Sequence, residues 1–229
     1  MKSLIFGASG GLAEAIAQAL LAREWHVDLV TRKTKQEEVE HKFQSAVNEN
    51  RARVFAVDHR YSSFVPQLPC HAYFFTQALF SSKPVIAMEH AEIAQEIEVG
   101  LGDVIQLTRK LLSQHPPDPG ERRDYCFIGS TSAYTGFRNT SVYCAVKHGL
   151  LGFVRAMNDE YAQTNTRFWL FSMGTMDTEM GRRLTEQDRS SFLQPADVAR
   201  RIVEAVCSHS NIFEPEVILR RRTIRFLEP

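Results

Sequence analysis

The sequence lacks the patterns that mark several specialised classes of protein. Its four cysteines are far apart and form no CxxC pair, which favours free thiols in a reducing cytoplasm over a disulfide framework. The eight histidines include no HExxH pair, so no zinc or other metal site is predicted. The longest uncharged stretch, residues 61–82, contains Pro66, Pro69 and several polar residues, and therefore does not predict a membrane-spanning helix.

An excess of charge of either sign is also lacking. The 27 basic side chains balance 27 acidic ones, and the resulting net charge of zero argues against a nucleic-acid-binding protein with a broad basic face. The first residues lack the apolar core and cleavage site of a secretory signal peptide, so we expect a cytoplasmic location. With 229 residues, 44% of them hydrophobic, the chain is long enough to form one domain over residues 1–229.

Short strand-like runs alternate with helical patterns along the chain. Runs rich in β-branched and aromatic residues predict seven strands between residues 4 and 219. Apolar residues at helical spacing predict the helices between them, including one over residues 39–47, a continuous one over residues 91–114, and a last one that starts at Pro195. This alternation predicts an α/β fold, a doubly wound parallel sheet of the Rossmann type with helices on both faces in three layers. Such folds bind ligands at the carboxyl ends of their strands.

A glycine-rich segment, GASGGLA at residues 7–13, joins the first predicted strand to the first helix. Glycines at such a turn let the backbone approach a pyrophosphate, and the N–H groups at the start of the helix then face the phosphates. The segment therefore predicts a dinucleotide site, and the alternative is a tight turn without a ligand. The residues expected to contact the cofactor there are Gly7, Ser9, Gly10, Gly11 and Leu12.

The end of the second strand bears on which dinucleotide is bound. An acidic residue at this point holds the ribose 2′-hydroxyl of NAD, but Asp28 lies inside the strand, too early for that role. The strand instead ends at Thr31 and Arg32, and a hydroxyl with a guanidinium suits the 2′-phosphate of NADP. This favours NADP(H) over NAD. The alternative is a solvated basic loop, since Lys33 and Lys35 follow.

Three polar residues in the second half of the chain form a candidate catalytic set. Tyr143 and Lys147 are one turn apart on a predicted helix, and Ser130 precedes Tyr143 by 13 residues, just after the fifth strand. The ordinary pKa of a tyrosine is about 10, and a nearby ammonium is expected to lower the pKa of Tyr143 towards neutrality. Ser130 is expected to hydrogen-bond a substrate carbonyl. The order of these elements after a glycine turn predicts an active site.

In these motifs and their order, the chain resembles the short-chain dehydrogenase/reductase family over nearly its whole length. The family's glycine motif resembles residues 7–13, and its catalytic serine, tyrosine and lysine match Ser130, Tyr143 and Lys147 in spacing. The resemblance implies hydride transfer between NADP(H) and a small carbonyl or alcohol substrate, with Tyr143 as proton donor or acceptor. It also implies a homodimer or homotetramer.

Further cofactor positions follow from the same resemblance. The family's adenine-contacting acid matches Asp58, for which a plain surface position together with His59 is nearly as good an interpretation, and Thr31-Arg32 resembles the pair in NADPH-using carbonyl reductases. The motif after the fourth strand corresponds to Thr76 and Gln77. The segment after the sixth strand resembles residues 173–178 and adds three expected contacts, Gly174, Met176 and Thr178.

The chain departs from the family pattern at three places. The Asn-Asn-Ala-Gly motif after the fourth strand is Thr-Gln-Ala-Leu at residues 76–79, and Met173 replaces a proline. The family's catalytic asparagine, thought to position a water through which the lysine regains protons, is replaced by Gly100, and no asparagine occurs between Asn50 and Asn139. Two hypotheses therefore stand: an NADPH-dependent carbonyl reductase, which we favour, and an NADP-binding protein with little turnover that acts as a sensor or partner subunit.

Two weaker groups of residues have alternatives of their own. Residues 179–194 match a mobile substrate lid of the family, and Arg182 and Arg183 in it favour either an acidic substrate or, as the better interpretation, a solvated helix face. The segment between Ser130 and Tyr143 carries side chains that either line a substrate pocket or pack the loop, namely Tyr134, Phe137 and Arg138.

Overall fold

Seven parallel strands form a single sheet in the computed structural model, which describes residues 1–67, 69–208 and 212–224. The strands are β1 Lys2–Phe6, β2 His26–Arg32, β3 Ala52–Val57, β4 Ala72–Phe75, β5 Arg123–Ile128, β6 Thr166–Met173 and β7 Glu216–Leu219. Their order across the sheet is β3-β2-β1-β4-β5-β6-β7, and every neighbouring pair is parallel. The predicted doubly wound parallel sheet is thus confirmed. The parts of the predicted domain at residues 68, 209–211 and 225–229 lie outside the described residues.

Helices cover both faces of the sheet. They are α1 Gly11–Leu21, α2 Gln36–Lys42, α3 Gln44–Asn48, α4 His90–Ile97, α5 Asp103–Gln114, α6 Ser141–Glu160 and α7 Pro195–Cys207. The last helix begins at Pro195, as predicted, because a proline in the first turn loses no helical hydrogen bond. Within the described residues, no helix combines the length and the apolar composition needed to cross a membrane.

Burial on both faces explains the nearly continuous apolar strands. In β1, Ile5 belongs to the hydrophobic cluster that includes α1 and α7, whereas Leu4 and Phe6 belong to the cluster that includes α5 and α6. On the second face the Phe6 ring stacks on Phe75 at 5.4 Å between centroids, and Phe75 stacks on Phe127 at 4.7 Å. These aromatic contacts join β1, β4 and β5, the three strands whose carboxyl ends carry the main candidate site residues.

The sheet order places the expected ligand crevice. The chain runs from β1 outward to β2 and β3 and then returns to β4 on the other side of β1, so the strand order reverses between β1 and β4. Ligands of doubly wound sheets bind at this reversal, beyond the carboxyl ends of the strands. Gly7, Thr76, Ser130 and Gly174 follow β1, β4, β5 and β6 directly or within two residues, so all four lie at that edge.

Two of the predicted helices differ from the structure. The predicted continuous helix over residues 91–114 contains a π-helical turn, Glu98–Gly102, between α4 and α5. The predicted helix over residues 39–47 is divided at Phe43 into α2 and α3, although Val39 and Phe43 are both buried as the spacing predicts. The apolar periodicity located the buried faces of α2 and α5, but in α4 the buried residue is Glu96 and Ile97 is exposed.

Candidate active site

The glycine turn directly follows β1, with Gly7 buried against the end of β4 and Gly10 exposed. Gly7 has φ +81°, and a Cβ on it would lie 2.7 Å from the Gln77 backbone nitrogen, so a side chain has no room there. The N–H groups of Gly7 and Ala8 both donate to the Val30 carbonyl, at 3.0 and 3.1 Å. Among the described residues no side chain caps the start of α1 after Gly10, which leaves its first N–H groups available to an anion.

Hydrogen bonds of Thr76 join the end of β4 to this turn. The Thr76 hydroxyl donates to the Phe6 carbonyl at 2.6 Å and lies 3.3 Å from the Gly7 carbonyl. Gln77 is buried, and neither its amide nitrogen nor its amide oxygen has a hydrogen-bond partner among the described residues. A buried amide without partners is rare in proteins and indicates a polar ligand. Thr76 thus holds the turn in place, and Gln77 has hydrogen-bonding capacity for a cofactor.

The remaining cofactor positions lie around the same edge. A Cβ on Gly11 would lie 3.3 Å from the Thr178 Cγ2, so the segment after β6 reaches the glycine turn. The Gly174 N–H donates to the Leu219 carbonyl at 3.0 Å, and Met176 packs against the core. Leu12 is buried in that core, so only its backbone faces the crevice. Ser9 and Gly10 lie in the turn itself, half-buried and exposed.

At the end of β2 the candidate residues have different surroundings. Thr31 is fully buried and its hydroxyl has no partner in the described part of the chain, whereas Arg32 is exposed. Asp28 is buried deeper in β2. Its two carboxylate oxygens accept hydrogen bonds from Arg53 Nε and Nη2, at 2.8 and 2.7 Å, so the carboxylate is already paired with Arg53. The Asp58 carboxylate is exposed, as the alternative interpretation expects, and lies 3.5 Å from the Lys33 ammonium.

The structure brings Ser130, Tyr143 and Lys147 together beyond β5. The Lys147 ammonium donates to the Ile128 carbonyl at 2.8 Å and lies 5.5 Å from the centre of the Tyr143 ring. Ser130 lies near enough to Tyr143 that its hydroxyl acts on the pKa of the phenol. The Ser130 oxygen also accepts the Ser132 N–H at 3.1 Å, so the serine proton remains available to a substrate or to Tyr143.

The protonation of this set differs from the sequence prediction. Burial raises the pKa of Tyr143 to about 12, and the Ser130 hydroxyl offsets only part of that increase. Burial lowers the pKa of Lys147 to about 8. The predicted lowering of the tyrosine pKa by the ammonium is therefore wrong for this structure, because loss of solvent around the phenol is the largest effect on its pKa and raises it. Near neutral pH Tyr143 holds its proton firmly.

Two neighbours of the set were not found from the sequence. Phe80 contacts Tyr143 edge to face, with 5.0 Å between ring centres, and forms one wall beside the phenol. Glu96 on α4 is buried, and its negative charge acts on the pKa of both Tyr143 and Lys147. A glutamate in the middle of an apolar helical pattern is a signal that could have singled it out, since buried carboxylates are rare unless paired.

The weaker candidates favour the structural interpretations. The Tyr134 hydroxyl donates to Glu216 at 3.0 Å, so it packs the loop against β7. Arg182 and Arg183 are exposed and pair with carboxylates of their own segment, Asp177 at 2.7 Å and Glu179 at 3.5 Å. Phe137 and Arg138 lie on the exposed surface. None of these side chains is needed to complete the arrangement at the end of β5.

Comparison with known proteins agrees with this arrangement. The model of the family described as short chain dehydrogenase matches residues 76–189, which include the serine, tyrosine and lysine. Sepiapterin reductase from Chlorobaculum tepidum is 31% identical over 94 residues, which cover 41% of this chain and only 38% of that protein. Nodulation protein G from Rhizobium sp. is 29% identical over 202 residues, 84% of this chain and 80% of the relative.

Solved structures share the fold at low identity. An alcohol dehydrogenase from Thermococcus sibiricus complexed with 5-hydroxy-NADP has a TM-score of 0.80 and 19% identity, with 96% of each chain covered. Among the similar structures some hold NADP and one holds NADH. With the strand order, the glycine turn and the Ser–Tyr–Lys arrangement, these matches show that the chain belongs to the short-chain dehydrogenase/reductase family of oxidoreductases.

Proposed function

We propose that this protein reduces the carbonyl group of a small molecule with NADPH and that Tyr143 donates the proton. The observation that carries the proposal is the convergence of Ser130, Tyr143 and Lys147 at the edge of the sheet where the glycine turn lies. A hydroxyl donor, a buried phenol and an ammonium are the groups that reduction of a carbonyl requires.

The crevice has the features that a dinucleotide requires. Gly10 is exposed in the turn, where a Cβ would meet only the Gly7 carbonyl oxygen at 3.5 Å, and the first turn of α1 lacks a side-chain cap among the described residues. Gln77 offers an amide without partners. We therefore assign the phosphates to the start of α1, the adenosine side to Gln77 and Asp58, and the nicotinamide side to Lys147 and the segment around Thr178. When bound, the nicotinamide supplies the hydride.

The preference for NADPH rests on the end of β2. Arg32 is exposed there and forms no ion pair with any described carboxylate, so its guanidinium is available to a 2′-phosphate. Asp28, the acid that might have bound the ribose of NAD, is held by Arg53 and by Lys2, the latter at 3.0 Å. Thr31 at the end of β2 is fully buried, so its hydroxyl is not exposed beside Arg32.

The protonation states favour the reductive direction. With a pKa of about 12, Tyr143 is protonated at neutral pH and can donate to an alkoxide as it forms. Ser130 retains a proton for the carbonyl oxygen, since its lone pair already accepts the Ser132 N–H. Lys147 uses one N–H on the Ile128 carbonyl, which fixes its position and leaves two donors for the cofactor ribose and the phenol.

A second function has one specific observation in its favour. A Cβ on Gly100 would lie 2.6 Å from the Val146 Cγ1, so the family's asparagine does not fit at this position unless the Val146 side chain moves. A protein without that residue could bind NADPH and turn it over slowly, as a sensor or partner subunit. This alternative predicts NADPH binding with no oxidation by any carbonyl.

Measurements of ligand-induced stabilisation and of turnover distinguish the reductase from an NADP-binding protein with little turnover. NADPH should raise the melting temperature more than NADH at equal concentration, and about 2.7 kcal/mol of stabilisation is expected at a hundredfold excess over Kd. A carbonyl panel that includes sepiapterin, because one relative is a sepiapterin reductase, then tests NADPH oxidation. Equal shifts with both cofactors would contradict the role of Arg32, and binding without oxidation would favour the second function.

We also propose that the protein forms a homodimer or homotetramer, as is typical of the family. Ile97 and Ile105 are exposed on the outer side of α4 and α5, where a second copy could cover them. Light scattering during size-exclusion chromatography measures the mass, and a monomer at micromolar concentration would contradict this part of the proposal.

A further inference from the structure

Arg221 is a half-buried cation that the proposed reaction does not use. It lies two residues after β7, at the edge of the sheet where the candidate active site lies. Its guanidinium pairs with no carboxylate in the described part of the chain, and its hydrogen bond from Nη1 to the Ser191 Oγ is long, at 3.4 Å. A guanidinium has five N–H donors in a fixed fork, so most of these donors are available to a ligand.

The packing around Arg221 removes solvent from the guanidinium. Its Nε lies 3.8 Å from the place that a Cβ on Gly174 would take, so the side chain passes over this glycine. Its Cζ lies 5.6 Å from the centre of the ring of Phe192, which is buried. Burial accordingly lowers the pKa of Arg221, and no carboxylate opposes that decrease. A cation that has lost solvent without gaining a counter-charge favours an anionic ligand.

The strand pairing shows how far Arg221 lies from the catalytic set. Phe171 in β6 pairs with Ile128 of β5 on one side and with Val217 of β7 on the other. Neighbouring strands are about 4.8 Å apart, so the ends of β5 and β7 are separated by about 10 Å. Ser130 follows the first of these strands and Arg221 follows the second. A small molecule with its carbonyl at Ser130 can therefore reach the guanidinium with a charged group several bonds away.

The other arginines near this edge are less suited to that role. Arg182 and Arg183, for which the sequence left an acidic substrate open, are exposed and already paired with Asp177 and Glu179. Arg32 follows β2, which is five strands away from β7 in the sheet, so it lies on the side assigned to adenosine. An acidic substrate is thus better matched by Arg221 than by the arginines that the sequence singled out.

We propose that Arg221 binds a carboxylate of the substrate, and that the substrate is a small oxo acid whose carboxylate lies several bonds from the carbonyl. This inference rests on the proposed reductase function. The guanidinium fork donates two parallel hydrogen bonds to the two carboxylate oxygens, which directs the carbonyl towards Ser130 and Tyr143. The contact with Phe192 holds the guanidinium in place, so little side-chain freedom is lost when the acid binds.

Binding to the complex with NADP⁺ tests the inference without turnover, because the oxidised cofactor carries no hydride. Isothermal titration calorimetry compares oxo acids from pyruvate to 6-oxoheptanoate with their methyl esters. In wild type at least one acid should bind roughly tenfold or more tightly than its ester. Arg221→Gln should remove this difference, and Arg221→Lys should restore part of it. Arg222→Gln, at the exposed neighbouring position, is the matched control and should retain the difference.

Steady-state kinetics with NADPH give a second readout. For the best acid, Arg221→Gln should raise KM by roughly tenfold or more and change kcat much less, since the carboxylate is remote from the reacting carbonyl. A merely structural contact with Phe192 would instead slow the reduction of acid and ester alike.

Three results would overturn the inference. They are equal binding of acids and esters by wild type with and without NADP⁺, an unchanged preference for acids in Arg221→Gln, and a loss of NADPH affinity in that variant, which would assign the guanidinium to the cofactor. Acids that bind in preference to esters while no carbonyl oxidises NADPH would overturn the proposed function and leave the carboxylate site at Arg221 standing.

Discussion

Replacement of Gly7 by alanine tests the structural basis of the dinucleotide site. The new Cβ would lie 2.7 Å from the Gln77 nitrogen, 2.9 Å from the Gln77 Cα and 2.9 Å from the Thr76 hydroxyl. Two of these atoms are backbone, so they cannot rotate away. The residue also has φ +81°, a conformation that L side chains disfavour.

The expected loss of stability follows from these two effects. The left-handed conformation costs about 1–2 kcal/mol for alanine, and the overlap costs about 1–3 kcal/mol. Reduced freedom of the unfolded chain returns roughly 0.4–1 kcal/mol. The net decrease in the free energy of unfolding should be about 1–5 kcal/mol, and each kcal/mol lowers the melting temperature of a chain of this size by about 2–4 °C.

Gly10→Ala is the matched control in the same turn. A Cβ there would meet only the Gly7 carbonyl oxygen at 3.5 Å, and the residue has φ −78°, so the fold should tolerate it. Urea unfolding measures both variants, and NADPH titration measures their affinities. We expect Gly10→Ala to unfold like wild type but to bind NADPH less tightly, because the methyl group lies at the phosphate site. Equal stability of Gly7→Ala and wild type would refute the reasoning.

Three other perturbations have defined outcomes. NADPH-dependent reduction should decline above about pH 8 as Lys147 loses its proton. The pKa of Lys147 is about 8 in the folded protein and 10.5 ordinarily, so between pH 8 and 10 the unfolded chain binds more protons, and wild type should gain stability relative to Lys147→Met as the pH rises. Parallel pH curves of the two proteins in urea unfolding would contradict this. Arg32→Ala should weaken NADPH binding by roughly tenfold or more and leave NADH binding unchanged in fluorescence titrations, and a parallel loss of both affinities would argue against a contact with the 2′-phosphate. Gly100→Ala should lower the unfolding free energy by about 1–2 kcal/mol, since the clash with Val146 exceeds the gain in helix propensity; Val146→Ala in the same chain should recover stability, and additive losses in the double variant would show that no clash exists.

The fold could be predicted largely because strand-like apolar runs and apolar residues at helical spacing alternate along the chain. The apolar runs at β1, β4 and β5 have the continuous burial that a sheet covered on both faces requires. Arg123, at the start of β5, is fully buried because its guanidinium donates to the Pro116 carbonyl at 3.0 Å and to Glu121 at 2.8 Å.

The helix between β4 and β5 shows what periodicity cannot detect. The spacing of Ile93, Ile97, Leu101 and Val104 predicts one uninterrupted helix, but Ile97 is exposed, and the predicted buried face holds only from Val104 onward. Gly100 in the π-helical turn Glu98–Gly102 packs closely against Val146, a residue far away in the sequence, and no local pattern predicts such a contact. Glu96 was missed because a glutamate in a helix is usually exposed, and only the packing of α4 in the fold shows that this one is buried.

The candidate catalytic set was predictable in membership but not in protonation. The spacing of Tyr143 and Lys147 and the place of Ser130 after β5 were enough to bring the three together. The pKa of Tyr143 depends on how much solvent reaches the phenol, which is decided by Phe80 and by the depth of α6 against the sheet. Neither is visible in a local pattern.

Tyr143→Phe tests the central claim most directly. The substitution removes only the phenol oxygen and preserves the ring contact with Phe80. With both proteins saturated with NADPH and given the best carbonyl of the panel, the account predicts a loss of roughly 10²–10⁴ in kcat with unchanged NADPH affinity. Oxidation of NADPH by the variant at the wild-type rate would contradict the account.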